Sequence, residues 1–252
     1  IQVLKGTAAI TQGIGNDLGS AGGVINIATK TPKFLNAGEI SLRGGSWGQF
    51  RPTFDVQTVL DKSQTVAFRV NGAYERSDSY RKSVTKDRIY VNPSLAWKAN
   101  DKTTITVEMD YLHDTRTPDR GTVNLAADSV NALYKMPNNN FLGFDTDRAL
   151  TNNLTYALRF DRSLSDLFSV RIAFFGSTLD TDNTGASTST LKNVAKTGAY
   201  NLRSRSLTRS TRADDNNALQ IDLIGRDVFT GKIKHTFQTG FDYRTNHTET
   251  VA

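Results

Sequence analysis

Val66-Ala67-Phe68-Arg69-Val70-Asn71-Gly72-Ala73-Tyr74-Glu75 alternates two kinds of side chain. In an extended chain Val66, Phe68, Val70, Gly72 and Tyr74 share one face, and Arg69, Asn71, Ala73 and Glu75 share the other, because successive strand side chains point to opposite sides. The same period of two recurs downstream. Ile105, Val107, Met109 and Tyr111 oppose Thr104, Thr106, Glu108 and Asp110; Leu154, Tyr156, Leu158 and Phe160 oppose Thr155, Ala157, Arg159 and Asp161. Leu219, Ile221 and Leu223 oppose Gln220 and Asp222, and Ile233, Phe237, Phe241 and Tyr243 oppose Lys234, Gln238, Asp242 and Arg244. One face of each run is apolar and the other polar.

A soluble sandwich also alternates in this way, so length and spacing decide. Soluble strands average about 5–6 residues, whereas a tilted strand crossing a bilayer needs about 9–11. The runs here reach the longer figure. The breaks between them alternate short and long: short near 61–63, 100–102, 165–166 and 230–231, longer near 78–86, 116–150 and 181–213. Antiparallel strands send successive turns to opposite ends, so the short turns share one end and the long loops the other, the arrangement of an outer-membrane barrel. The turn near Gly45–Gly48 is the short exception on the long-loop end. Tyr74, Tyr80, Tyr90, Trp97, Tyr111 and Tyr243 sit toward run ends, as in an interfacial girdle, although aromatics are enriched in strands of every kind.

The spacing predicts nine strands, near 38–46, 48–59, 64–77, 87–99, 103–115, 151–163, 168–180, 214–226 and 232–247. The fold class expected is therefore all-β, part of a transmembrane antiparallel β-barrel. Bacterial single-chain barrels close with even strand numbers, so the sequence is expected to be cut at both ends. A sheet with two unpaired edges is not expected to stand alone in lipid. Residues 1–36 differ from the rest: Gly6, Gly13, Gly15, Gly19, Gly22 and Gly23 precede the short run Val24–Lys30, which Thr31-Pro32 stops. They read as the end of a small globular domain, with the barrel portion from 37 to 252.

Composition narrows the classes further. No apolar run approaches the roughly 18 residues of a membrane helix, and the mean hydropathy is −0.43. The net charge is +6, but the basic residues are spread along the chain, which argues against nucleic acid. With no cysteine, disulfides and thiolate metal sites are excluded. Several motifs nearly form. Gly225 to Lys232 has the wrong spacing for a phosphate loop, and a calcium loop begun at Asp180 carries Leu191 where glutamate is needed. His113, His235 and His247 lack metal-ligand spacing. No enzymatic activity is expected.

Val3-Leu4-Lys5-Gly6 and Gly22-Gly23-Val24-Ile25-Asn26-Ile27-Ala28-Thr29-Lys30-Thr31-Pro32 resemble the end of the plug in TonB-dependent siderophore receptors. Gly44-Gly45-Ser46-Trp47-Gly48-Gln49-Phe50-Arg51 resembles the first barrel hairpin of that family. Asn71–Glu75, Pro93–Lys98 and Asp114–Gly121 extend the likeness, which is strong over 1–165 and carried by strand rhythm beyond. Thr7 stands where the family has proline, Gln12 where tyrosine is common, and Ile14–Ala21 is longer than the usual link.

The resemblance implies an outer-membrane barrel of about 22 strands occluded by a plug, of which nine strands and the plug's C-terminal part are present. It implies a ferric siderophore bound on the outer side, so that ferric iron travels as cargo and no cofactor is held covalently. It also implies TonB as the energising partner, contacting a plug region that lies before Ile1, and outer-membrane lipid and lipopolysaccharide as surroundings, without nucleic acid. The alternatives are a receptor of the same family for cobalamin or a glycan, and a passive porin-like barrel, which would lack residues 1–36.

Candidate ligand-binding residues follow from the long breaks. Arg203 and Arg205, with Arg209 and Arg212, lie in the predicted loop 181–213, and arginine suits planar oxygen ligands. A solvated loop, or one touching lipopolysaccharide phosphates, accounts for the same arginines. Arg116, Arg120, Tyr134 and Phe141 lie in the predicted loop 116–150, where aromatics have a place against a chelate or against the plug. Gln12 is a candidate by its position in the resemblance alone. Trp47 reads as an interfacial anchor.

Overall fold

The structure, a computed structural model, describes residues 2–4, 24–26, 29–119, 121, 138–188 and 205–251. It divides into two units, Ile1–Thr31 and Pro32–Ala252. In the first, β1 (Gln2–Leu4) pairs antiparallel with β2 (Val24–Asn26), with Val3 opposite Ile25.

Among its described residues the second unit forms a single sheet of nine strands in strict chain order. These are β3 (Ala37–Gly44), β4 (Phe50–Val59), β5 (Val66–Asp78), β6 (Thr85–Asn100), β7 (Thr103–Arg116), β8 (Arg148–Ser163), β9 (Phe168–Thr188), β10 (Arg205–Thr230) and β11 (Ile233–Val251). Each pairs antiparallel with the next. The nine strands expected from the sequence are all present. No described helix is long and apolar enough to cross a membrane, a fact silent on strands that cross.

Register converts the alternation of each strand into rows across the sheet. Val66, Trp97, Ile105, Phe160, Ile172, Ile221 and Phe241 stand side by side on seven successive strands. The next row on the same face is Phe68, Leu95, Val107, Leu158, Phe174, Leu219 and Tyr243. The opposite face carries Arg69, Ser94, Glu108 and Ala157 in one row and Glu75, Arg88, Asp114 and Thr151 in another. Among the described residues of this unit, no second sheet covers the apolar rows.

Burial is inverted relative to a water-soluble protein. Phe241, Leu158, Val107 and Ile40 are exposed on the apolar face, while Asn92, Glu108, Asp114 and Ser94 are buried on the polar face. Among the described residues, Pro32 apart, the buried apolar side chains are alanines: Ala67, Ala96, Ala173 and Ala186. A contiguous exposed apolar surface of this extent marks contact with something other than water. The polar face satisfies itself across strands. Arg69 donates twice to Asp55 at 2.8 and 2.7 Å, and the Asn71 amide donates to Asn92 Oδ1 at 2.8 Å.

Three glycines on the apolar face each lie opposite an aromatic ring. Gly72 faces Phe54, Gly176 faces Tyr156 and Gly225 faces Phe237. In each case an added Cβ would run into that ring, so the aromatic fills the place of the missing side chain.

The connections sort by end. On one side are the tight turns at 60–65, 101–102, 164–167 and 231–232; on the other are 45–49, 79–84, 117–147 and 189–204. The last of these corrects the sequence reading. The predicted loop 181–213 is strand over 181–188 and again over 205–213, with Thr181 opposite Arg212. Here Thr181-Asp182-Asn183-Thr184 is polar on both faces, so the apolar alternation that betrays a strand is missing. Twenty-one residues of β9 extend about 70 Å at the usual rise. That is well beyond what a bilayer crossing needs, so β9 and β10 stand clear of the apolar rows on the long-loop side.

Candidate functional site

The polar face develops a cavity of about 630 Å³ at the long-loop end of β7 to β10. Arg116, Thr117, Pro118 and Asp119 form one wall as the chain leaves β7. Ala149 of β8, Asn183, Thr184 and Gly185 of β9, and Thr208 and Ser210 of β10 complete it. Register explains the set: Arg116 pairs with Ala149, Ala149 with Asn183 and Asn183 with Ser210, one polar-face row. The lining offers hydroxyls, an amide, a carboxylate and one guanidinium, with no aromatic ring among these residues.

The cation belongs to a ladder. Lys86 and Arg51 lie 2.7 and 3.4 Å from the buried Glu75 carboxylate. Arg88 meets the buried Asp114 at 2.9 Å. Arg116 approaches the same carboxylate only to 3.8 Å and its side chain stays 59% exposed. Because Asp114 is already engaged by Arg88 at good hydrogen-bond distance, Arg116 has donors to offer in the cavity. A guanidinium presents planar, paired donors matched to carboxylate and other oxygen-rich ligands.

The wall from 117 to 119 is held at several points. Thr117 donates its N–H to the Thr85 carbonyl at 2.9 Å and its hydroxyl to the Ser83 carbonyl at 2.9 Å. Asp119 pairs with Arg81 at 3.1 Å. Pro118 lies against Gly185, where an added Cβ would meet Pro118 Cγ at 3.6 Å. The far end of the same loop is pinned to β9, since the Ala186 N–H donates to Asp147 Oδ2 at 3.0 Å.

Of the residues proposed from sequence, Arg116 lines the cavity. Phe141 lies in the loop before β8, beside Gly143, and is not among the lining residues. Gln12, Arg120, Tyr134 and Arg203 lie outside the described residues. Arg205 opens β10 opposite Thr188 instead of sitting in a loop. Arg209 and Arg212 also belong to β10, on opposite faces. Arg209 is bidentate on Asp182 at 3.1 and 2.9 Å, and Arg212 on Asp214 at 2.6 and 2.9 Å. Arg209 and Arg212, read from sequence as parts of one loop cluster, are therefore divided between the faces of a strand. Sequence reasoning missed Asn183, Gly185, Thr208 and Ser210, which become a site only through register, and Arg81, whose partners are remote in the chain.

No family model matches the chain. The metal-pseudopaline receptor CntO of Pseudomonas aeruginosa strain UCBPP-PA14 is 29% identical over 250 residues, 99% of this chain and 33% of the relative. The ferrioxamine B receptor of Salmonella typhimurium strain SL1344 is 28% identical over 258 residues, 98% of this chain and 34% of the relative. Among solved structures, the ferric-catecholate import receptor Fiu of Escherichia coli K12 superposes with a TM-score of 0.81 at 24% identity, covering 91% of this chain and 37% of that one. The chain thus spans about a third of the length of the curated relatives it matches. Sequence and fold together make it a homologue of one such stretch of the TonB-dependent siderophore and metal-chelate receptors.

Proposed function

We propose that this chain is part of an outer-membrane receptor that binds a metal chelate, a ferric siderophore, at the cell surface and passes it to the periplasm. One observation carries the reading. A sheet that exposes its apolar face and buries its polar face suits a barrel wall with lipid outside and a wet lumen inside, and the cavity lies on the lumenal face at the long-loop end. Residues 1–36 serve as the end of a plug in this reading, and 37–252 as the first part of the barrel. TonB supplies the energy through the plug, and iron is cargo, held by its chelator.

In the cavity, Arg116 offers charge-assisted hydrogen bonds to the oxygen shell of the chelate, while Asn183, Thr208 and Ser210 add neutral donors and acceptors. A barrel wide enough to admit a chelate must be plugged. The polar face bearing Arg69, Glu108 and Arg159 then borders a wet lumen.

The test is uptake of radioactive iron by cells carrying or lacking the whole receptor, with iron presented as ferrioxamine B, as a catecholate and as citrate. Uptake of at least one chelate should vanish on deletion and on loss of TonB. Unchanged uptake of all three would contradict the reading.

A further inference from the structure

We propose that Arg81, which does not line the cavity, is the positioning residue that sets its Arg116–Asp119 wall by clamping the neck of the loop 117–147. Its effect on ligand affinity rests on the functional reading above; the clamp itself does not.

Arg81 lies in the connection between β5 and β6, where a charged side chain is ordinarily solvated, yet it is only 7% exposed. Its guanidinium reaches both arms of the neighbouring loop. Nε lies 3.1 Å from the Asp119 carboxylate, and Nη1 donates to the Asn140 carbonyl at 3.4 Å. Tyr80 orients it: Arg81 Nε donates to the Tyr80 hydroxyl at 3.0 Å, and the guanidinium carbon stands 5.3 Å from the ring centroid.

The backbone around Arg81 repeats the bridge. Lys82 N–H donates to the Asn139 carbonyl at 3.0 Å, the Ser83 hydroxyl donates to Asp145 at 2.7 Å, and the Ser83 carbonyl accepts from Thr117. The three residues Arg81–Ser83 thereby tie the outgoing arm of the loop to its returning arm. Asp119 is the link to the cavity, because it is both the partner of Arg81 and part of the wall. Without the guanidinium, a carboxylate held in a partly buried neck loses its counter-charge. The Pro118–Asp119 part of the wall then swings on Thr117, next to Arg116.

The experiment uses the whole receptor in detergent, with spin labels on P118C and S210C across the cavity; this stretch has no native cysteine. A second label pair within the sheet reports on the barrel. The proposal expects one narrow P118C–S210C distance with Arg81 present. R81A and D119N should each broaden it, R81K should give an intermediate width, and the sheet pair should stay fixed. Affinity for whichever of ferric ferrioxamine B, a ferric catecholate or ferric citrate binds should fall about tenfold in R81A and less in R81K.

A distance distribution unchanged in both R81A and D119N would overturn the proposal. If R81A does not reach the membrane, D119N decides, since it alters only the loop's side of the pair. If the unaltered receptor binds none of the three probes, the functional reading fails, while the distances still decide the clamp.

Discussion

Asp61 shows how much one side chain fixes. It closes the tight turn between β4 and β5 by accepting the N–H groups of Thr65 and Val66 at 2.9 and 2.8 Å and the Thr65 hydroxyl at 2.7 Å. The Val66 backbone bond, then the Thr65 hydroxyl, hold its carboxyl below the ordinary value of 3.8. A carboxyl whose folded value is depressed contributes stability above its unfolded value, and loses that contribution as pH falls through the folded one. D61N should therefore loosen the turn at pH 7, with the difference from wild type shrinking as pH falls below the ordinary value of 3.8 and vanishing only below the depressed folded value. Hydrogen exchange at Thr65 and Val66 as a function of pH checks this; a difference that persists at low pH would contradict it. The turn was legible in Asp61-Lys62-Ser63 because Asp and Ser favour turns through their own backbone bonds. Arg81 was not legible: its carbonyl acceptor lies 59 residues away, and nothing local marks a surface arginine as buried.

At the scale of elements, the apolar half of each strand was readable and the polar half was not. β8 was placed nearly to its ends because Leu154, Tyr156, Leu158 and Phe160 alternate cleanly. β9 and β10 were cut short where Asn183, Thr184, Arg209 and Ser210 leave both faces polar, a stretch held by cross-strand pairs such as Arg209–Asp182 instead of by apolar rows. The cavity inherits this blindness, since Asn183, Gly185, Thr208 and Ser210 all come from that stretch. The same division predicts how substitutions act. Leu158 sits in the middle of an apolar row, exposed between Val107 and Phe174. L158R in the whole receptor should cost about 2–4 kcal/mol, as charges do near the midplane on a lipid face. Denaturant unfolding in lipid vesicles measures this, and a cost below about 0.5 kcal/mol, the range of ordinary surface changes, would contradict it.

At the scale of the molecule, every feature follows from one reversal of sides. The sheet runs unbroken from β3 to β11, turns and loops sort to opposite ends, and the buried charges face away from the apolar rows. Cysteine scanning from Leu154 to Asp161 in the whole receptor tests this reversal most directly, with spin labels probed by oxygen, which partitions into lipid, and by a water-soluble nickel chelate. Positions 154, 156, 158 and 160 should be oxygen-accessible, and 155, 157, 159 and 161 shielded from oxygen. Equal accessibility at all eight positions, or the opposite alternation, would contradict it.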